Sequence, residues 1–289
     1  MMWAILSGLA QAAQLIVLGK TALILSSMQT MFIRSCFLLP CVFFISWEAS
    51  KCYDWTDMLD NLLFGINDVV LMALTTITMV LSSTSDTVAI AYNLAIPSAI
   101  LACIILGEKF DTIDFIFATV NGTGLVLISK SRIDNSEVSQ ETSVLGLLLS
   151  FGCLFLCCLL PIAPRRLAHR GKEDPNLLTF MAGSCGLVMT SVYLTVTNSW
   201  MLPQTSYEIF MCLLLGFFTM VSFCAYTRAL KTECALAVVL GLTLCIPLTY
   251  CYDVIFGNQG IKLLTVAGVC LTVGSTICFY VKSYCVTSS

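Results

Sequence analysis

Arg34 stands inside a run of apolar residues. A charge at such a place is costly unless it is used or paired. A guanidinium there can take a carboxylate or phosphate through two parallel N–H donors. Snorkelling to an interface, or a fixed salt bridge, would serve as well. Asn67 and Asp68 interrupt a second apolar run, and Arg228 and Lys231 end a third. Two charge pairs closing in turn would fit this layout. Asp68 would meet Arg228 or Lys231 at one face, and Arg34 would meet Asp86 or Asp253 at the other. Solvated helix ends are the plainer alternative. Thr243, Pro247 and Tyr250 recur at i, i+4 and i+7 and so share a helix face. Asp86, Asn93 and Pro97 share one at i, i+7 and i+11. Tyr92 and Tyr226 add hydroxyls and aromatic faces, and Gln11 and Gln14 share a face near the start of the chain. The candidates for a substrate cavity are therefore Arg34, Asn67, Asp68, Tyr92, Asn93, Pro97, Tyr226, Thr243, Pro247 and Tyr250. The gate candidates are Asp86, Arg228, Lys231 and Asp253. Polar residues in membrane helices serve equally often as interhelical glue.

The elements that must position these groups are set by composition. The chain has 289 residues, 58% hydrophobic and 11% charged, and a mean hydropathy of +0.93. A soluble domain carries roughly 25% charged residues. The net charge of -3 gives no reason to expect nucleic acid as a partner. No C-x-x-C occurs among the 16 cysteines, and the single histidine, His169, lies in a charged loop. Neither a metal site nor a cofactor is expected. There is no G-x-x-x-x-G-K-[ST], G-x-S-x-G or H-E-x-x-H, so neither ATP-driven transport nor an enzyme is indicated.

A hydrocarbon core about 30 Å thick needs ~20 apolar residues per helix. That ruler predicts ten spans, near 2–19, 28–46, 62–81, 86–106, 113–129, 144–163, 176–196, 208–227, 234–256 and 261–281. The basic loop with Arg165, Arg166, Arg170 and Lys172 weighs most in the lysine and arginine bias. The bias places both termini in the cytoplasm. Asn121-Gly122-Thr123 is a glycosylation sequon, but it falls within the fifth span.

Residues 82–132 map onto 232–282 at an offset of 150 without a gap. Pro97 meets Pro247, Gly107 meets Gly257 and Gly124 meets Gly274. The second span repeats similarly, with Thr30, Ser35, Cys36 and Leu38 meeting Thr179, Ser184, Cys185 and Leu187. Two halves of five spans, 1–134 and 142–284, must be inverted relative to each other because five is odd. Matched mid-helix prolines free the carbonyls of Asn93 and Thr243. Matched helix breaks point to a site at the membrane midplane, a packing kink being the other reading. The expected fold is all-α, a polytopic membrane protein of about ten helices in two inverted repeats.

Leu106-Gly107-Glu108-Lys109 resembles the Leu-Gly-Glu-Lys/Arg signature of the EamA type of the drug/metabolite transporter superfamily. Phe32-Ile33-Arg34 looks like that family's early Phe-x-Arg, and Ala225–Lys231 is similar to its linker. In detail the chain resembles the G branch of solute carrier family 35. The resemblance implies a central cavity lined by both halves and alternating access. It implies metabolite substrates, often anions, or a role in calcium homeostasis. Carriers of GDP-mannose have a Gly-Ala-Leu-Asn-Lys motif where this chain reads Val239-Leu240-Gly241-Leu242-Thr243. Triose-phosphate carriers rely on deep basic residues where this chain has only Lys262, near an end. Neither substrate class is supported. The leading expectation is a secondary transporter of a small metabolite, an organic anion. The alternative is a non-transporting membrane interaction or regulatory protein. The expected partners are that substrate and the lipid bilayer; a homodimer is admitted.

Overall fold

The computed structural model describes residues 2–21, 25–45, 53–81, 95–108, 110–133, 144–201, 203–256 and 262–288. Among them every regular element is helical. Helix α1 is Met2–Thr21, and α2 is Ser27–Leu38, continued by a 3-10 turn to Phe44. Then come α3 (Trp55–Leu81), α4 (Ala95–Leu101, with a π turn to Leu106) and α5 (Thr112–Ile133). The second half of the chain forms α6 (Val144–Leu159), α7 (Ile162–His169), α8 (Pro175–Val196) and α9 (Ser206–Thr232). It ends with α10 (Ala235–Thr243), α11 (Cys245–Phe256) and α12 (Leu263–Ser288). Among the described residues, seven helical stretches are long and apolar enough to cross a membrane: Ser27–Phe44, Trp55–Thr75, Leu148–His169, Pro175–Val196, Ser206–Thr232, Ala235–Phe256 and Leu263–Cys285. Met2–Leu18, Ala95–Leu106 and Thr112–Ile128 are apolar but shorter.

Local chemistry sets the ends. Asp174 caps α8 by accepting from the Asn176 N–H at 2.9 Å, with Pro175 at the first helical position. Thr205 and Glu208 form a reciprocal capping box at the start of α9. Gly107, at φ 67°, stops the π turn in the left-handed region that a side chain resists. The break between α10 and α11 falls at Leu244, three residues before Pro247. Proline has no N–H to give the Thr243 carbonyl, so the ladder opens there.

One boundary differs from expectation. Helix α3 begins at Trp55 rather than at 62. Asp57, Asp60 and Asn61 make its first turns read as loop. They are instead buried against the segment around α7: Arg170 Nη1 lies 2.9 Å from Asp57 Oδ1, and Lys172 Nζ 2.7 Å from Asp57 Oδ2.

Helix α1 packs along α9, α3 along α6, α2 and α3 on α8, α2 on α9, α4 on α10, and α5 along α12. Apolar lipid tails offer little hydrophobic drive between helices, so close approach does the holding. At the α5–α12 crossing a Cβ on Gly268 would lie 2.6 Å from the Gly124 carbonyl oxygen. Asn121 is fully buried in the same seam and donates to the Thr272 carbonyl at 3.3 Å, so the sequon asparagine is a packing group. Gly268→Leu is expected to lower stability by about 1–3 kcal/mol. Gly274→Ala, where nothing lies within 4 Å of the new Cβ, is expected to be neutral or to gain up to about 1 kcal/mol from helix propensity. Thermal unfolding of the two purified variants checks both.

Candidate functional site

Asp68 lies thirteen residues into α3, about 20 Å from its start at 1.5 Å per residue. That is mid-helix, where an unpaired carboxylate would be costly. Arg34 on α2 meets it there: Nη2 donates to Oδ1 at 3.1 Å, and the two side chains are 8% and 3% exposed. The guanidinium also stacks on Phe223 of α9, with Cζ 5.2 Å from the ring centre. Its Nε has no hydrogen-bond partner among the described residues.

The pair lines a cavity with about 80 Å³ open to the centres of water molecules. A single water needs ~10–15 Å³ by the same measure, so there is room for several waters or a small polar group. Ser7 and Gln11 of α1, Leu71 and Met72 of α3, Cys157 and Leu160 near the end of α6, and Ser222, Phe223 and Tyr226 of α9 complete most of the wall. Val239 and Leu242 of α10 close it. Ser222 Oγ donates to Gln11 Oε1 at 2.8 Å, and Ser7 Oγ to the Ser222 carbonyl at 3.2 Å. These bonds fix the polar edge of the α1–α9 seam.

The structure therefore brings together Arg34, Asp68 and Tyr226 of the expected cavity residues. It pairs the two charges differently from expectation. Asp68 is bound to Arg34, not to Arg228 or Lys231, because it lies deep in the bundle whereas they lie in the last turns of α9. Arg228 stacks over Trp3 at 5.0 Å, and Lys231 Nζ donates to the Glu173 carbonyl at 3.3 Å. Asn67 ties α3 to α6 by donating to the Leu156 carbonyl at 3.1 Å. Thr243 is fully buried and donates within its own helix to Leu240 at 2.8 Å. Thr243, Pro247, Tyr250 and Pro97 are not among the residues lining this cavity. Asp86, Tyr92 and Asn93 lie outside the described residues, as does the side chain of Asp253. Ser7, Ser222 and Phe223 are cavity residues that the sequence does not single out. The spacing of Ser7, Gln11 and Gln14 at i, i+4 and i+7 was the readable signal.

A second cluster ties one end of the bundle. Glu108, after α4, accepts from Arg165 Nη2 at 2.7 Å and Nε at 2.8 Å, and from the Ala235 N–H at the start of α10 at 3.2 Å. Arg165 Nη1 in turn donates to the Leu230 carbonyl in α9 at 2.9 Å. Lys282 of α12 bridges Asp111 at 3.0 Å and Asp114 at 2.7 Å beside α5. Beside this cluster Glu173 is 7% exposed, and among the described residues neither carboxylate oxygen has a hydrogen-bond partner. Burial pushes its carboxyl up to about 8 from 4.5; Lys231 and Arg165 pull it down and Asp174 adds to the rise. The folded state thus holds this proton more tightly than the unfolded state. Its contribution to stability is full below pH 4.5 and is lost as pH rises through about 8. Glu173→Gln is expected to melt higher than the parent at alkaline pH by on the order of 2–4 kcal/mol, and to flatten the profile. Melting curves across neutral pH check this.

No family model matches the chain. It is 25% identical over 202 residues to human solute carrier family 35 member G1, an alignment covering 68% of this chain and 54% of that protein. The chain thus spans about half the length of this curated relative. A solved crystal structure superposes with a TM-score of 0.75 over 95% of this chain and 94% of its own, at 14% identity, and so shares the fold. With the seven apolar helices among the described residues, this likeness supports a multi-pass membrane protein.

Proposed function

We propose that this protein is a secondary transporter that moves a small organic anion by alternating access. The observation that carries the reading is the buried Arg34–Asp68 pair lining a cavity. A guanidinium beside a cavity is suited to a carboxylate or phosphate. Tyr226 and Ser222 supply neutral groups to orient the rest of the ligand.

The two-repeat architecture, 1–134 and 142–284, is drawn from the packing as well as the sequence. Exchange each of the first five predicted spans with its counterpart in the second five. The α1–α9 contact then becomes α6–α3, and α3–α8 becomes α9–α2. The contacts α2–α8, α4–α10 and α5–α12 map onto themselves, and all of these pairs are present. Such a bundle has two nearly equivalent arrangements, one open to each side. In this state the Glu108, Asp57 and Lys282 ion pairs tie one end, the cytoplasmic end by the charge bias. Arg228 and Lys231 lie at that end and belong to the gate.

Thermal stability of the detergent-purified protein against di- and tricarboxylates, sugar phosphates, nucleotide sugars, amines and calcium tests the reading. A ligand at about 100 times its Kd stabilises by about 2.7 kcal/mol. An anion should do so, and Arg34→Gln should abolish it. Stabilisation by no ligand would favour the non-transporting interaction protein.

A further inference from the structure

The cavity wall carries one positive and one negative side chain among the described residues, Arg34 and Asp68. One hydrogen bond joins them, Nη2 to Oδ1 at 3.1 Å. Asp68 is 2% exposed, and among the described residues Arg34 is the charged group paired with it. Helix α2 presents Arg34. Cys157 of α6 and Tyr226 of α9 share the cavity wall with Asp68. On α7, Arg165 and His169 face Glu108, and Arg166 faces Asp60.

An anion that binds Arg34 must therefore share it with Asp68 or displace Asp68. Two anions on one guanidinium would leave net negative charge in a poorly solvated interior. A displaced, buried carboxylate favours its neutral form. We propose that Asp68 is a proton site coupled to the anion site: the anion takes Asp68's place on Arg34, Asp68 takes up one proton, and both cross together. This rests on the transport reading above.

The step balances. Arg34⁺·Asp68⁻ with A⁻ and H⁺ gives Arg34⁺·A⁻ and neutral Asp68, with no oxidation or reduction. The cavity is neutral before and after. On release the proton leaves with the anion and the pair closes again, so the empty carrier returns without an unpaired buried charge. For a monoanion the cycle moves no net charge.

The test uses the whole chain in liposomes with a pH-sensitive dye trapped inside, and radiolabelled succinate, citrate and glucose 6-phosphate as probes. With acid outside, uptake of the accepted probe should acidify the lumen in step. With the membrane potential clamped at zero, one coupled proton should drive about tenfold accumulation per pH unit. Uptake that neither acidifies the lumen nor responds to the gradient overturns the proton site and leaves the transport reading standing. No uptake of any probe fails the transport reading, and the proposal with it. In Asp68→Asn, verified as folded by its melting curve, uptake should be slower and should no longer rise with the gradient. Persistent gradient-driven accumulation in that variant also overturns the proposal.

Discussion

Asp68→Leu alone is expected to lower stability by about 3–5 kcal/mol, because it leaves the Arg34 guanidinium buried without its counter-charge. Arg34 is 7% exposed. Arg34→Met alone strands Asp68 in the same way. The double variant, Arg34→Met with Asp68→Leu, should recover most of the loss, since a buried pair replaced by apolar groups of similar volume is often neutral or stabilising. Part will remain lost, because the stacking of Arg34 on Phe223 goes with it. Melting of the four proteins closes a double-mutant cycle and gives the coupling between the two residues. If the pair serves only the fold, the double variant will also bind anions as the parent does. With Arg34 part of the anion site, it should bind none.

Glu108→Leu is the second large effect, at about 2–4 kcal/mol. It removes the partner of Arg165, whose side chain is 13% exposed, and leaves the Ala235 N–H at the α10 terminus unsatisfied. Glu108 thus ties the end of α4 to α7 and α10, and through Arg165 to α9. Glu108→Gln keeps an acceptor for Ala235 and should fall between parent and Glu108→Leu. Loosening this end should also expose Cys234, just before α10. Maleimide labelling read by mass spectrometry should rise there in Glu108→Leu. Loss of stability without increased labelling would mean that Glu108 supports the fold but does not hold that end shut.

The apolar runs made most helices legible, because lipid demands about twenty apolar residues per span. Where a helix begins with buried acids, as α3 does at Asp57 and Asp60, the same ruler fails. It cannot see that Arg170 and Lys172 arrive from a distant loop. The break before Pro247 was readable from proline's missing N–H. Arg34 and Asp68 were readable as costly charges, but not as each other's partner. Starting α3 seven residues late placed Asp68 near an end rather than in mid-bundle. The contacts of Ser7 and Ser222 join residues 215 apart in the chain. A serine in an apolar helix gives no sign of which seam it will face.

The most direct test of the central claim is counterflow in liposomes. A carrier that alternates around Arg34 and Asp68 must bring unlabelled substrate out to take labelled substrate in. Preloading with the anion that stabilises the purified protein should speed its labelled uptake several-fold, on the order of tenfold if return of the empty carrier limits the cycle. Arg34→Gln should show no such acceleration. Stabilisation by a ligand without any counterflow in the parent protein would contradict the account and leave a binding protein rather than a transporter.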